Sequence, residues 1–179
     1  MVYVFLAEGF EEIEAISPID ILRRGGVEVK TVGAQNSAVK GAHNITFNTD
    51  IRETDIDYKE LEAVVLPGGM PGTANLGKSK AVLSAIEYAK ENGKLICAIC
   101  AAPSVIGKMG LLKGKKAICY PGFEKYLKGA KITEQPVVTD GNIITAKGPG
   151  AASEFGFSIL KAIKGESISS KVKKDMQYL

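Results

Sequence analysis

The sequence predicts an α/β protein in which a mostly parallel sheet carries helices on both faces. Residues 1–7, 63–66 and 95–99 are nearly unbroken apolar runs, the pattern of strands covered on both sides. Helical stretches separate them, and strands alternating with helices argue a parallel sheet. Each run ends in a turn of glycine, proline or small residues, beyond the carboxyl end of a strand, where such sheets place their sites.

Taken in order, residues 1–7 form the first strand and Glu8-Gly9-Phe10 the turn after it. Residues 11–24 are helical in pattern, with Ile13, Ile16, Ile19 and Leu22 following a 3.6 period only roughly. Pro18 either kinks this helix or opens a second segment capped by Ser17, and Gly25-Gly26 ends it. Val27, Val29 and Thr31-Val32 alternate with Glu28 and Lys30 as a second strand. Residues 33–50 are polar and irregular, with short strands at 37–39 and 45–48 that pair as a hairpin outside the main sheet. A short helix at 58–62 precedes the strand at 63–66, which ends in Pro67-Gly68-Gly69. Residues 79–92 form an amphipathic helix with Val82, Leu83, Ile86 and Ala89 on one stripe, Ser79 as cap and Gly93 as stop. After the strand at 95–99, residues 116–120 read as another strand and 123–127 as a short helix. Residues 137–140 and 143–146 flank Gly141-Asn142 as a β-hairpin. A helix at 151–164, with Phe155, Ile159, Leu160 and Ile163 inward, stops at Gly165, and the tail from Glu166 is a short helix.

A chain of 179 residues suits one domain, residues 1–179, and its 45% apolar content is enough for a sizeable core. The net charge of +3 is mild, and the tail cluster of Lys171, Lys173 and Lys174 reads as a solvated face, so no specific nucleic-acid partner is expected. No apolar run is long enough for a bilayer, and the first residues read as a strand rather than a basic leader with an apolar stretch. The expectation is therefore a cytoplasmic protein without a membrane role.

The three cysteines, Cys97, Cys100 and Cys119, make no disulfide framework. Cys97 and Cys100 form a C-x-x-C, but the first lies inside the strand. Three residues of extended chain separate them by about 10 Å, and a disulfide needs Cα atoms within about 7 Å. No second ligand pair supports zinc, so no metal is expected, and Cys97 reads as core.

Cys100 is different. It stands where the strand ends, Pro103 suits the first turn of a following helix, and the small residues Ala98 and Ala102 permit a sharp elbow. A thiol there meets helix N–H groups and the helix dipole, which favour the thiolate, so Cys100 is expected to be the most acidic and reactive of the three. The plainer alternative is a buried structural cysteine. Glu14 is either a solvated helix carboxylate or a partly buried one, whose raised pKa would make it a proton donor or acceptor for a thiol. Gly68-Gly69 is a tight turn that can also present an N–H which, with that of Ala101, would stabilise an oxyanion; no Gly-Lys-Ser/Thr follows, so it is no phosphate loop. A Cys–His dyad could use only His43, the single histidine, and a lone loop histidine is usually surface.

Five runs taken together resemble the DJ-one family within the ThiJ/PfpI superfamily: residues 6–14 (Leu-Ala-Glu-Gly-Phe-Glu-Glu-Ile-Glu), 20–25, 65–69 (Val-Leu-Pro-Gly-Gly), 98–103 (Ala-Ile-Cys-Ala-Ala-Pro) and 147–150 with Glu154-Phe155. The resemblance implies a flavodoxin-like sandwich with class I glutamine amidotransferase-like topology, and a homodimer with Arg23 and Arg24 in an interface region. It also implies a reactive Cys100, a protonated Glu14 bonded to it, and Gly69 and Ala101 as backbone donors. A neutral Glu14 would donate to the thiolate and lower its pKa. The activities implied are cofactor-independent glyoxalase and deglycase reactions on methylglyoxal or its adducts, or else oxidation sensing and chaperone-like protection through Cys100. Tyr120, before Pro121, stands where many relatives have histidine, and its phenol, with a pKa near 10, is a poor base. His43 aligns with a family arginine near the pocket, so Tyr120, His43 and Gly68 are pocket candidates. Ala101 replaces the histidine of the protease branch, and the downstream His-x-Glu of amidotransferases is absent.

Overall fold

In a computed structural model, which describes residues 1–178, the first apolar run is strand β1 (Val2–Leu6), buried along its whole length. Helix α1 (Glu12–Arg24) follows and runs unbroken through Pro18, so the two-segment alternative does not hold. Strand β2 (Val29–Gly33) comes next, then the expected hairpin β3 (Ala38–Lys40) and β4 (Thr46–Asn48), an antiparallel pair outside the main sheet. The chain continues through a two-residue edge strand β5 (Ile51–Arg52), β6 (Ala63–Leu66), α2 (Gly72–Leu76), α3 (Lys80–Glu91), β7 (Leu95–Ile99) and α4 (Pro103–Lys108). It ends with β8 (Lys116–Ala117), β9 (Lys131–Ile132), the hairpin β10 (Val137–Asp140) and β11 (Ile143–Ala146), α5 (Ala152–Lys164) and α6 (Glu166–Asp175).

The main sheet has the order β10-β11-β7-β6-β1-β2-β5, parallel throughout except for β10. Alternate strand residues point to opposite faces and feed two cores. On one face Val4, Leu6, Val65, Cys97 and Ile99 pack with Ala15, Leu22, Phe155 and Ile159 of α1 and α5. On the other, Phe5, Val64, Leu66, Ile96 and Ala98 pack with Val82, Ile86, Val105 and Ile106 of α3 and α4. Cys97 is thus core, as expected.

The structure departs from the sequence reading at four places. The expected strand at 116–120 is a ladder only at Lys116–Ala117, paired with β9. Beyond it the Ile118 N–H donates to Thr145 Oγ1 at 3.0 Å and the Tyr120 N–H to the Cys100 carbonyl at 2.8 Å, so these residues form a strap over the sheet end. The short helices at 58–62 and 123–127 are single 3₁₀ turns, Tyr58–Glu60 and Glu124–Tyr126. Helix α2 and the short strands β5 and β9 carry too few residues to show a period. Helix α1 is turned so that Ile13 and Ile16 are exposed while Glu12 and Glu14 are buried.

Candidate active site

The loops after β1, β6 and β7 converge at one end of the sheet. Glu11 caps α1: its carboxylate accepts the Glu14 N–H at 2.7 Å, while its own N–H donates to the Gly68 carbonyl at 3.1 Å. This fixes the first turn of α1 against the β6 loop and aims Glu14 inward. Glu14 is fully buried, and its Oε2 accepts the Gly68 N–H at 2.8 Å. Its Oε1 is buried without a hydrogen-bond partner. The Cys100 thiol is the polar group that faces this carboxyl.

Gly68 is the spacer between the two. A Cβ there would lie 2.6 Å from Glu14 Oε2 and 2.7 Å from Cys100 Cβ, so any side chain would part the pair. Gly69 has φ +84°, and a Cβ would sit 2.5 Å from both the Gly9 carbonyl oxygen and the Glu11 nitrogen, so the turn requires glycine.

Cys100 itself has φ +64°, the left-handed region that non-glycine residues seldom occupy. Its main chain is held on both sides: the N–H donates to the Ala146 carbonyl at 2.9 Å, and the carbonyl accepts the Tyr120 N–H at 2.8 Å. The elbow expected from the sequence is therefore present, with Pro103 at the first position of α4.

The electrostatics correct one expectation. Burial, then the negative charge and hydrogen bonding of Glu14, push the Cys100 thiol up to about 12, against a downward pull from the Ala101 and Gly69 N–H groups. Burial alone pushes Cys97 higher still, and burial with the Glu124 charge moves Cys119 up to about 11. Cys100 is thus raised like the other two thiols rather than held as a thiolate. Helix α4 has 6 residues and begins three positions later, so its dipole does not offset burial. What sets Cys100 apart is access and partners: it is 8% exposed against 0% for Cys97 and 1% for Cys119. Glu14 is raised to about 7, chiefly by burial and secondarily by the Glu11 charge, while Cys100 and the Gly68 N–H pull it down. Below about 7 the pair holds both protons, and the first to leave as pH rises is the carboxyl's. An ionised Glu14 raises the thiol's pKa, the reverse of the lowering expected from a neutral partner.

The remaining candidates divide. Tyr120 docks on Cys100 through its backbone, and its exposed ring borders an open pocket of about 320 Å³ lined also by Pro121, Pro136, Lys147 and Pro149. His43 does not join Cys100; its Nδ1 lies 2.9 Å from Glu12 Oε2, and its backbone N–H donates to Glu12 Oε1 at 2.7 Å. Glu11, Glu12 and His43 each offer a ligand atom within 4.8 Å of the others, a set that the Glu12–His43 bonds already occupy. Arg23 bonds Asp50 and the Val29 carbonyl, and Arg24 bonds Asp20, so both arginines have partners within the chain. Sequence reasoning missed Ala146, whose carbonyl accepts the Cys100 N–H; an alanine ending a strand carries no signal of such a role.

A doubly covered parallel sheet with a cysteine elbow at its carboxyl edge defines a flavodoxin-like fold. Residues 1–162 match the DJ-1/PfpI family, and the chain belongs to that family. It is 36% identical over 176 residues to Drosophila melanogaster Protein dj-1beta, covering 97% of this chain and 94% of that one. The solved Drosophila melanogaster DJ-1beta structure superposes with a TM-score of 0.95 at 35% identity, over 99% and 97% of the two chains. A Caenorhabditis elegans protein named Glutathione-independent glyoxalase DJR-1.2 is 31% identical over 94% of this chain and 91% of its own, and a Thermococcus kodakarensis protein named Deglycase TK1284 is 32% identical over 83% and 90%. The chain spans 40% of the length of Arabidopsis thaliana Protein DJ-1 homolog B, to which it is 37% identical over 174 residues. No helix among the described residues is long and apolar enough to cross a membrane.

Proposed function

We propose that the protein is a cofactor-independent glyoxalase or deglycase that converts methylglyoxal-type 2-oxoaldehydes, free or as adducts, into 2-hydroxy acids. The observation that carries this reading is the buried Glu14 carboxyl, with one unpartnered oxygen, set against the Cys100 thiol across Gly68. Ionised Glu14 takes the thiol proton as sulfur attacks the aldehyde carbon, and the resulting hemithioacetal oxygen is protonated. Glu14 then removes the proton from that carbon and delivers it to the neighbouring one, while the hydroxyl proton passes to the neighbouring carbonyl oxygen, which turns the hemithioacetal into the thioester of a 2-hydroxy acid. Water cleaves the thioester and restores the thiol. For the free aldehyde the balance is 2-oxoaldehyde plus water to 2-hydroxy acid, with no external oxidant; for an adduct, the amine or thiol on the aldehyde carbon leaves with a proton as the Cys100 sulfur replaces it. The N–H groups of Gly69 and Ala101 stabilise negative charge as it develops. The exposed Ile13 and Ile16 on α1 support the homodimer implied by the family, since an apolar helix face gains from being covered.

Conversion of methylglyoxal to lactate by the purified protein, lost in Cys100→Ser, tests the reading; equal turnover in Cys100→Ser would sink it. A second reading, oxidation sensing, is favoured by the same unpartnered Glu14 oxygen, which could donate a proton to a sulfinate on Cys100. Stoichiometric oxidation by hydrogen peroxide without any aldehyde turnover would select it.

A further inference from the structure

On the α3–α4 side of the sheet lies a cavity of about 520 Å³, within the range of about 300–1,000 Å³ typical of small-molecule sites. Neither Cys100 nor Glu14 lines it. Its wall combines three features. Lys78 and Lys108 both line it, and no carboxylate does. Phe123 and Tyr126 form a tilted pair with ring centroids 6.0 Å apart, and Leu83 closes the apolar wall. Thr73, 4% exposed, also lines it, with its hydroxyl buried and without a partner.

Each feature restricts the occupant. Two ammonium groups with no compensating acid attract an anion. The Lys108 ammonium sits 4.5 Å over the Tyr126 ring, so it is held beside the aromatic wall, where a charge and a flat apolar body can be met together. A buried hydroxyl without a partner is a place for a ligand acceptor or donor. We propose that this cavity is a second ligand site, separate from Cys100, for a small organic monoanion with an aromatic body, its carboxylate or sulfonate on Lys78, Lys108 and Thr73 and its ring against Phe123 and Tyr126. The site adjoins the loop after β6: Met70 of that loop lines it, and the Thr73 N–H donates to the Gly69 carbonyl at 2.9 Å.

The full chain titrated with 2-naphthoate tests this by calorimetry and by amide NMR. The expected result is saturable one-to-one binding, with amide shifts centred on Thr73, Val105 and Tyr126. The neutral analogue 2-naphthylmethanol is expected to bind at least about tenfold more weakly, and so is naphthoate to the doubly charge-reversed Lys78→Glu/Lys108→Glu protein. Gly77→Leu provides an independent block, because a Cβ at position 77 meets nothing closer than 3.5 Å and lies 3.7 Å from Val105 Cγ2, in the cavity wall; it too should lower affinity. Binding should persist after Cys100 is alkylated. The proposal is overturned by absence of saturable binding, by equal affinity for the neutral analogue, by unchanged affinity in folded charge-reversed protein, or by shifts centred on Cys100 or Tyr120.

Discussion

Glu12 and Glu14 lie on the same first turn of α1, both buried, and they meet opposite fates. Burial pushes each upward. At Glu12 the His43 ring and backbone N–H and the Ile45 N–H outweigh burial and hold the carboxyl below its usual range. At Glu14 one oxygen has the Gly68 N–H, the other has no partner, and burial wins, to about 7. Burial alone therefore does not make a carboxylate reactive; burial with an incomplete set of donors does. The first residue stitches the 41–45 loop to the helix. The second is left with a proton to move.

The sharpest test of this contrast is Glu14→Gln. It keeps the shape and an amide donor but removes the base, so methylglyoxal turnover should fall by about 10²–10⁴-fold. In the parent protein kcat/KM should rise as pH passes about 7, and that limb should vanish in the variant. Undiminished turnover would falsify the proton-shuttle role. The next effect is on stability. Glu14's pKa is raised in the fold, so its stabilisation is complete below its unfolded value near 4.5 and is lost as pH rises through about 7. A shift of that size corresponds to up to about 3 kcal/mol. Glu14→Gln should accordingly melt higher than the parent at pH 8 and close to it at pH 4.5; equal differences at both pH values would break the comparison.

A smaller effect concerns the thiol. Removing the Glu14 charge should lower the Cys100 pKa, read by pH-dependent iodoacetamide labelling with mass mapping. In the parent protein Cys100 should still label before Cys119, because it is the more accessible; the opposite order would mean that resting acidity, not access, governs reactivity. The smallest effect belongs to His43→Ala. The backbone donors to Glu12 remain, so the melting temperature should drop by no more than about 2 °C, with turnover unchanged. A loss of turnover there would draw His43 into the chemistry.

How far the sequence foretold this site depended on what each residue's signal rests on. Strands β1, β6 and β7 were legible because double burial writes an unbroken apolar run, and the elbow because Ala98, Ala102 and Pro103 restrict the backbone locally. Glu14 was legible only as a choice between solvent and core: its neighbours Ile13 and Ile16 suggested an inward face that the structure turns outward. The strap at 118–120 read as the end of a strand at 116–120 because Ile118 and Cys119 continue an apolar run, yet its partners are Thr145 and the Cys100 carbonyl, contacts no local pattern encodes. The partners of His43 and the two-sided backbone hold on Cys100 are long-range in the same sense.

The left-handed backbone of Cys100 has a consequence for how the site can drift. A residue with a Cβ at φ +64° carries a conformational penalty of about 1–2 kcal/mol that glycine would escape. The least strained residue at position 100 is therefore one that has no sulfur. Stability and chemistry pull this position in opposite directions, so random substitution toward glycine would relax the elbow while silencing it. A lineage that needed only the scaffold would meet no folding obstacle to shedding the thiol.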